Sequence, residues 1–195
     1  MTGGDPRHAR DGDVPGAGIL GMWVFLATLT VLFLAAIVGY LIVRLKATAW
    51  PPPGMPRLPA GMWLATMVLV AGSVTIERAR RAMRRGERTP CARWLQATLA
   101  LSVVFLSVQL WNWWGLIRVR VTAASNLYAF TFFMLTGLHA AHVVGGIVLL
   151  VVVSVRCRRG HYGSDHHGGV TYAAMYWHFL DAIWLLLFAV LVVFA

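Results

Sequence analysis

Five long apolar stretches are the feature that most constrains the fold of this chain. A hydrocarbon core about 30 Å thick is crossed by about 20 helical residues, and each of the five stretches approaches or exceeds that length. The sequence therefore predicts an all-α protein, an integral membrane bundle of five transmembrane helices. We place the spans near residues 19–43, 60–77, 95–117, 127–155 and 171–194.

The segments outside the spans set the domain organisation. Residues 1–18 are rich in Gly, Pro, Asp and Arg and lack the apolar core of a signal peptide. We expect a flexible polar tail over 1–18, followed by one transmembrane domain over 19–195. The run Trp50–Gly54 contains three prolines and cannot continue a helix, so it separates the first two spans.

Basic residues alternate in density along the chain and predict its orientation. The six successive segments outside the spans hold two, three, seven, two, three and zero Lys or Arg. Alternate segments share a side, which gives 12 (2+7+3) on one side and 5 (3+2+0) on the other. By the positive-inside rule the richer side is cytoplasmic. The N-terminus is then cytoplasmic and the C-terminus lies outside.

The net charge of +10 accompanies 59% hydrophobic residues, so it has a different meaning than in a soluble protein. The basic residues lie between spans, where anionic phospholipid headgroups are their expected partners. We expect no nucleic-acid partner. The two cysteines, Cys91 and Cys157, show no metal-binding spacing and are expected to be reduced thiols without a role.

Four polar residues fall inside the last two spans, where each requires a partner or a function. His139 and His142 are three apart on the fourth span, and His178 and Asp181 are three apart on the fifth. Each pair therefore shares a helix face. We expect these four side chains to form a structural cluster in which they satisfy one another across the helix interface.

Two other interpretations of this cluster remain open from the residues alone. Histidines on different helices, one of them His178, could ligate a haem b in a membrane anchor. Asp and His chains also carry protons in pumps, although one buried acid is few for a relay. Glu77, at the end of the second span, is expected to pair with Arg80 or Arg81. Trp111, Trp113 and Trp114 are expected to form an interfacial aromatic belt. The sequence contains no catalytic motif and no metal motif, so we predict no catalytic, cofactor-binding or metal residues.

The last two spans carry motifs that resemble those of cytochrome c oxidase subunit III. The fourth reads FFMLTGLHAAHVVG over residues 132–145, similar to the family's F-F-x-L-T-G-x-H-x-x-H-V-x-x-G. The fifth reads HHGGVTYAAMYWHFLDAIW over 166–184, similar to H-H-x-G-x-E-x-A-x-Y-W-H-F-V-D-x-V-W. Weaker similarity begins at Gly21 and includes Ser73 and Thr75, so it covers nearly the whole chain from residue 21 onward.

The resemblance implies a non-catalytic subunit III of a bacterial haem-copper terminal oxidase, in the short five-helix form. The family's third subunit docks on a catalytic subunit that holds the haems and copper, stabilises it during turnover and binds phospholipid. The expected partners are therefore oxidase subunits I and II, and the expected location is the bacterial cytoplasmic (inner) membrane. Arg156 corresponds to a position that contacts lipid headgroups in relatives.

Three positions depart from the family's pattern. Where the family usually carries glutamate, this chain has Leu29, Asn112 and Thr171. The resemblance therefore implies no direct proton role for these positions. It also leaves open a related accessory subunit of nitric oxide reductase, which shares the fold.

Overall fold

The fold is a bundle of long helices. The computed structural model describes residues 17–56, 58–162 and 168–194, so nearly all of the expected tail over 1–18 lies outside the described residues. Within them the chain forms five helices and no strand: α1 Ala17–Lys46, α2 Gly61–Arg84, α3 Arg88–Arg118, α4 Leu127–Arg158 and α5 Gly168–Val193. All five are long and apolar enough to cross a membrane. The predicted all-α architecture with five membrane-spanning helices is confirmed.

The second and third helices extend well beyond the spans expected from hydropathy. The expected segment 78–94 is almost wholly helical, and only residues 85–87 separate α2 from α3. Gly86 takes a positive φ of 76° in this turn, a conformation that glycine adopts without steric cost. Arginine has a high helix propensity. Hydropathy therefore marked where these helices leave the hydrocarbon region, not where they end.

Helix α5 is the centre of the bundle. It packs against α1, α2 and α4, whereas α1 contacts only α4 and α5 among the helices that the structure describes. In an apolar 18-residue segment of α5, half of the residues are buried within the chain, whereas in the corresponding segment of α1 only 22% are buried. The neighbours of α2 are α3 and α5, and α3 in turn packs on α4. Helix α1 is therefore the peripheral helix, and α5 joins it to the rest of the bundle.

Trp177 of α5 is wedged between two glycines on neighbouring helices. A Cβ on Gly72 of α2 would lie 3.1 Å from Trp177 Nε1. A Cβ on Gly146 of α4 would lie 3.2 Å from both Leu180 Cδ1 and Tyr176 Cε1. Small residues at helix interfaces of membrane proteins allow this kind of close approach. The glycines thus position α5 against α2 and α4 at the depth of Trp177.

Side-chain hydrogen bonds join the helices in pairs. In four of these bonds, a hydroxyl or indole group of one helix contacts an oxygen atom of another helix. Interhelical hydrogen bonds of this kind stabilise a membrane protein by about 0.6 kcal/mol on average. They are Trp184 Nε1 to Thr66 Oγ1 at 3.0 Å, Thr75 Oγ1 with Thr98 Oγ1 at 2.8 Å, Trp113 Nε1 to Thr136 Oγ1 at 3.1 Å and Tyr176 Oη to the His142 carbonyl at 3.0 Å.

The tryptophans at the end of α3 do not all face the surroundings. Trp111 and Trp114 are 69% and 44% exposed and fit the expected aromatic belt. Arg118 stacks on Trp114 at 3.6 Å from the ring centroid. Trp113 is half-buried and donates to Thr136 of α4, so it is an interhelical contact as well, and its place in the belt stays a prediction. Its side chain projects from the face of α3 that packs against α4.

Candidate functional site

A polar cluster between α2 and α5 has His178 at its centre. The Ser73 hydroxyl lies 2.8 Å from His178 Nδ1, and Glu77 Oε2 lies 3.8 Å from His178 Nε2. Ser73 and Glu77 are four residues apart on α2, so both reach the same helix face. His178 keeps 44% of its side chain exposed in this chain. The cluster is therefore half-buried, with α2 supplying both partners of the α5 histidine.

Glu77 connects this cluster to the arginine-rich end of α2. Its carboxylate accepts hydrogen bonds from Arg80 Nε at 2.8 Å, Arg80 Nη2 at 2.9 Å and Arg81 Nε at 2.8 Å. The expected pairing of Glu77 is confirmed, and it involves both arginines. The paired arrangement anchors the carboxylate, because bidentate arginine contacts fix both its oxygens in place.

Asp181 lies one turn beyond His178 but does not bond to it. Its side chain is 6% exposed, and neither carboxylate oxygen accepts a hydrogen bond from any described residue. The Ser73 hydroxyl lies nearby, without the geometry of a hydrogen bond. The expected pairing of Asp181 with His178 was therefore wrong. Three-residue spacing puts both on one face of α5, but α2 offers the histidine nearer partners.

The two histidines of α4 also have separate environments. His139 is fully buried, and its ring faces Trp184, Phe105 and Phe33 at centroid distances of 4.9, 5.8 and 6.3 Å. Among the described residues neither of its nitrogens has a hydrogen-bond partner. His142 places Nδ1 2.7 Å from the carbonyl oxygen of Leu138, one turn back on its own helix.

His139, His142, His178 and Asp181 therefore do not satisfy one another, and the expected mutual cluster was wrong. The α4 histidines lie against aromatic rings, whereas His178 faces α2. The spacing of residues along α4 and α5 does not indicate these different environments. Sequence analysis identified Glu77 as a partner of arginines and Ser73 as part of a weak motif, and linked neither of them to His178. Their four-residue spacing on α2 was the signal that could have identified them as partners of one side chain.

The order Ser73, His178, Glu77 superficially resembles a nucleophile–base–acid arrangement. Ser73 lies in the middle of α2, where the backbone N–H groups are engaged in the helix. A hydrolytic site requires donors directed at the developing oxyanion, and the regular helix around Ser73 supplies no such group. The cluster has the geometry of an interhelical contact and lacks that of an acyl-transfer site.

The histidines do not fit a bis-histidine haem. The His139 ring is packed against three aromatic rings. His139 and His142 lie on one helix, and Nε2 of His178 faces the Glu77 carboxylate at 3.8 Å. No group of three or more His, Cys, Asp or Glu within 17–56, 58–162 and 168–194 could hold a metal ion. The adjacent Asp165, His166 and His167 lie outside the described residues.

An apolar groove of about 600 Å³ runs between α1 and α5 and borders the polar cluster. Trp23, Leu26 and Thr30 of α1 form one wall, and Met175, His178 and Phe179 of α5 form the other. The imidazole is the one ionisable group among these wall residues. The groove therefore offers an apolar surface with a polar edge where α5 meets α2.

The remaining residues singled out from sequence lie at helix ends or in the packed interior. Arg156 is exposed in the last turn of α4. Leu29 and Asn112, at two positions where the family usually has glutamate, are 9% and 5% exposed. Thr171, at the third, is half-buried in the first turn of α5. Cys91 and Cys157 are free thiols, but their sulfur atoms lie only 3.8 Å apart.

Comparison with known proteins gives one consistent family. The sequence profile of the family Cytochrome c oxidase subunit III matches residues 14–195. Cytochrome c oxidase subunit 3 of Synechocystis sp. is 33% identical over 183 residues, which cover 93% of this chain and 77% of that protein. The subunit 3 of Thermostichus vulcanus is also 33% identical, over 91% of this chain and 87% of its own length.

Animal relatives match a smaller share of their length. Cytochrome c oxidase subunit 3 of Danio rerio is 38% identical over 141 residues, which cover 71% of this chain and 53% of the fish protein. The comparisons do not favour the nitric-oxide-reductase subunit or the haem-b anchor. With the match over residues 14–195, the chain belongs to the cytochrome c oxidase subunit III family, whose members are non-catalytic subunits of haem-copper oxidases.

Proposed function

We propose that this chain is the third subunit of a bacterial terminal oxidase, docked on subunits I and II in the cytoplasmic (inner) membrane. Subunit I would hold the haems and copper, and this chain would stabilise it during turnover. The family match over residues 14–195 is the observation that carries this proposal. The α2–α5 cluster supports it, because its described contacts join helices and offer no geometry for catalysis.

Purification tests the proposed partners directly. Affinity purification of the tagged chain in mild detergent, followed by mass spectrometry, should recover the haem-copper catalytic subunit and subunit II in fixed ratio. A control purification uses the same tag on an unrelated multi-pass protein. Recovery of nitric oxide reductase subunits, or of no haem-copper subunit, would contradict the proposal.

A spectrum tests the proposed division of cofactors. The isolated chain should be colourless, and the haem absorption should follow the catalytic subunit when the complex is dissociated. The packed ring of His139 and the match to the subunit III family support this expectation. A stoichiometric Soret band in the isolated chain would show that a haem binds here.

We also propose a cytoplasmic N-terminus and an external C-terminus, on the basis of the 12-to-5 distribution of basic residues. A reporter enzyme active only outside the cytoplasm should work when fused after Ala195 and be silent when fused at Arg88. A fusion at Ser125, between α3 and α4, is the matched positive control. The opposite pattern would reverse the topology.

The last part of the proposal concerns phospholipid. Arg156, Arg158 and Arg159 cluster where α4 ends, and each basic residue near an anionic surface contributes about 1 kcal/mol. We expect an anionic headgroup to bind at Arg156, while the groove between α1 and α5 accommodates acyl chains.

Native mass spectrometry of the complex measures the retained lipid. Arg156→Gln should lower the amount of bound anionic phospholipid. Arg93→Gln, which removes an exposed arginine at the same end of the bundle, should leave it unchanged. Equal lipid retention in both variants would exclude Arg156 as the headgroup contact.

A further inference from the structure

The two cysteines of the chain are brought together by the fold. Cys91 lies in the first turn of α3 and Cys157 in the last turn of α4, 66 residues apart in sequence. Their sulfur atoms are 3.8 Å apart, and the two residues are 0% and 2% exposed. Cys157 Sγ also lies 3.9 Å from the carbonyl oxygen of Arg88. The thiols therefore face each other in the packed interior at one end of the bundle.

We propose that Cys91 and Cys157 form a site of two-electron oxidation, in which hydrogen peroxide converts the dithiol to a disulfide that joins α3 to α4. A disulfide has a sulfur–sulfur distance of about 2.05 Å, so the two sulfurs must approach by about 1.8 Å from their separation of 3.8 Å. The reaction does not depend on the proposed oxidase partners, since it concerns two groups within this chain; only its cellular setting rests on the proposed topology.

The chemistry balances in two steps. One thiol loses its proton and its sulfur attacks a peroxide oxygen; the O–O bond breaks, and the departing hydroxide takes up a proton to become water. The resulting sulfenic acid then reacts with the second thiol, in a condensation known for cysteine pairs. The S–S bond forms, the S–O bond breaks and a second water leaves. Two thiols and one peroxide thus give one disulfide and two waters.

Burial selects the oxidant. A large disulfide such as oxidised glutathione cannot reach sulfurs that are 0% and 2% exposed, whereas hydrogen peroxide is small and uncharged. The proposed topology places both cysteines at the cytoplasmic end, where cellular thiols maintain the reduced state. The chain is therefore made with both thiols reduced, and a disulfide formed by peroxide is protected from bulky cellular thiols by the same burial.

The bond would constrain two helix ends that are otherwise held by packing. It would close a loop that spans the rest of α3 and nearly all of α4, and loop closure by a disulfide stabilises a fold by restricting its unfolded state. The oxidised chain should therefore unfold at a higher temperature than the reduced chain. The chain has two cysteines in all, so an intramolecular disulfide can have only one pairing.

Intact-mass analysis of the purified full-length chain tests the proposal. After peroxide treatment and denaturation in N-ethylmaleimide, the chain should be two hydrogens lighter and should take up no maleimide. Cys157→Ser should form no intramolecular disulfide. The combination of Cys157→Ser with Ser154→Cys moves the thiol by one turn on α4 to another buried position, and should form the disulfide much more slowly.

Each alternative outcome contradicts the proposal. Two maleimides on the peroxide-treated chain would show that the pair resists oxidation. Sulfinic acid without a disulfide would show that the sulfurs cannot meet. A disulfide that appears only between chains on a non-reducing gel would place the reactive geometry elsewhere. Equal rates for the native pair and the relocated thiol would show that their 3.8 Å approach has no influence.

Discussion

Gly146→Leu should destabilise the bundle, and Gly137→Leu on the same helix should not. A Cβ at Gly146 would lie 3.2 Å from Leu180 and from Tyr176, and 3.5 Å from Trp177. A Cβ at Gly137 would have nothing within 4 Å. The two substitutions are chemically identical and share one helix, so they differ only in what the new side chain meets.

The magnitude follows from two opposing effects. Overpacking a filled interface costs about 1–3 kcal/mol, and a leucine extends well beyond the Cβ that already crowds Leu180 at 3.2 Å. Replacing glycine in a helix interior returns about 0.5–1 kcal/mol of helix propensity. This second effect is common to both variants. Their difference in free energy of unfolding should therefore be about 1–3 kcal/mol.

Thermal unfolding in mild detergent, followed by tryptophan fluorescence, measures this difference. Gly146→Leu should unfold at a clearly lower temperature than the native chain, and Gly137→Leu at the native temperature or slightly above it. The chain has nine tryptophans, so their fluorescence reports unfolding of the whole bundle. Equal unfolding temperatures for the two variants would refute close packing of α5 on α4.

Further predictions concern the polar side chains between helices. Asp181→Leu should raise the free energy of unfolding by about 1–3 kcal/mol, because it removes a buried carboxylate that no described residue satisfies; a decrease would reveal a partner. Thr66→Val should cost about 0.6 kcal/mol for the lost bond from α5, whereas Thr28→Val, whose hydroxyl bonds within α1, should cost less. In double-mutant cycles, the coupling free energy of His178 should be larger with Ser73 than with Asp181. A larger coupling with Asp181 would show that His178 and Asp181 are paired within α5.

The helices were predictable because a single property, apolar length, decides whether a segment spans a bilayer. The ends of α2 and α3 were not. Arginine residues can remain helical beyond the hydrocarbon region. Their long side chains carry the charged groups from the last turns of the helix to the membrane–water interface. The sequence thus placed a long segment between two spans where the structure has a turn of three residues, 85–87.

Of the candidate site, only His178 was predicted to belong to a polar cluster, and its contacts were not predicted. The spacing of His178 and Asp181 fixes their positions on one helix, whereas their partners depend on which neighbour faces them. That neighbour proved to be α2, which contributes Ser73 and Glu77. The approach of Cys91 and Cys157 depends in the same way on how α3 packs against α4, and a separation of 66 residues carries no local signal of it.

The most direct test of the proposed function is the turnover of the oxidase with and without this chain. Oxygen consumption by the purified complex should start at the same rate in both preparations, because members of the subunit III family are non-catalytic subunits of haem-copper oxidases. Activity should then decay faster in the preparation that lacks the chain, and adding the purified chain back should slow the decay. An initial rate that collapses without the chain, while the haem content is unchanged, would contradict a non-catalytic role and would place its residues in the reaction itself.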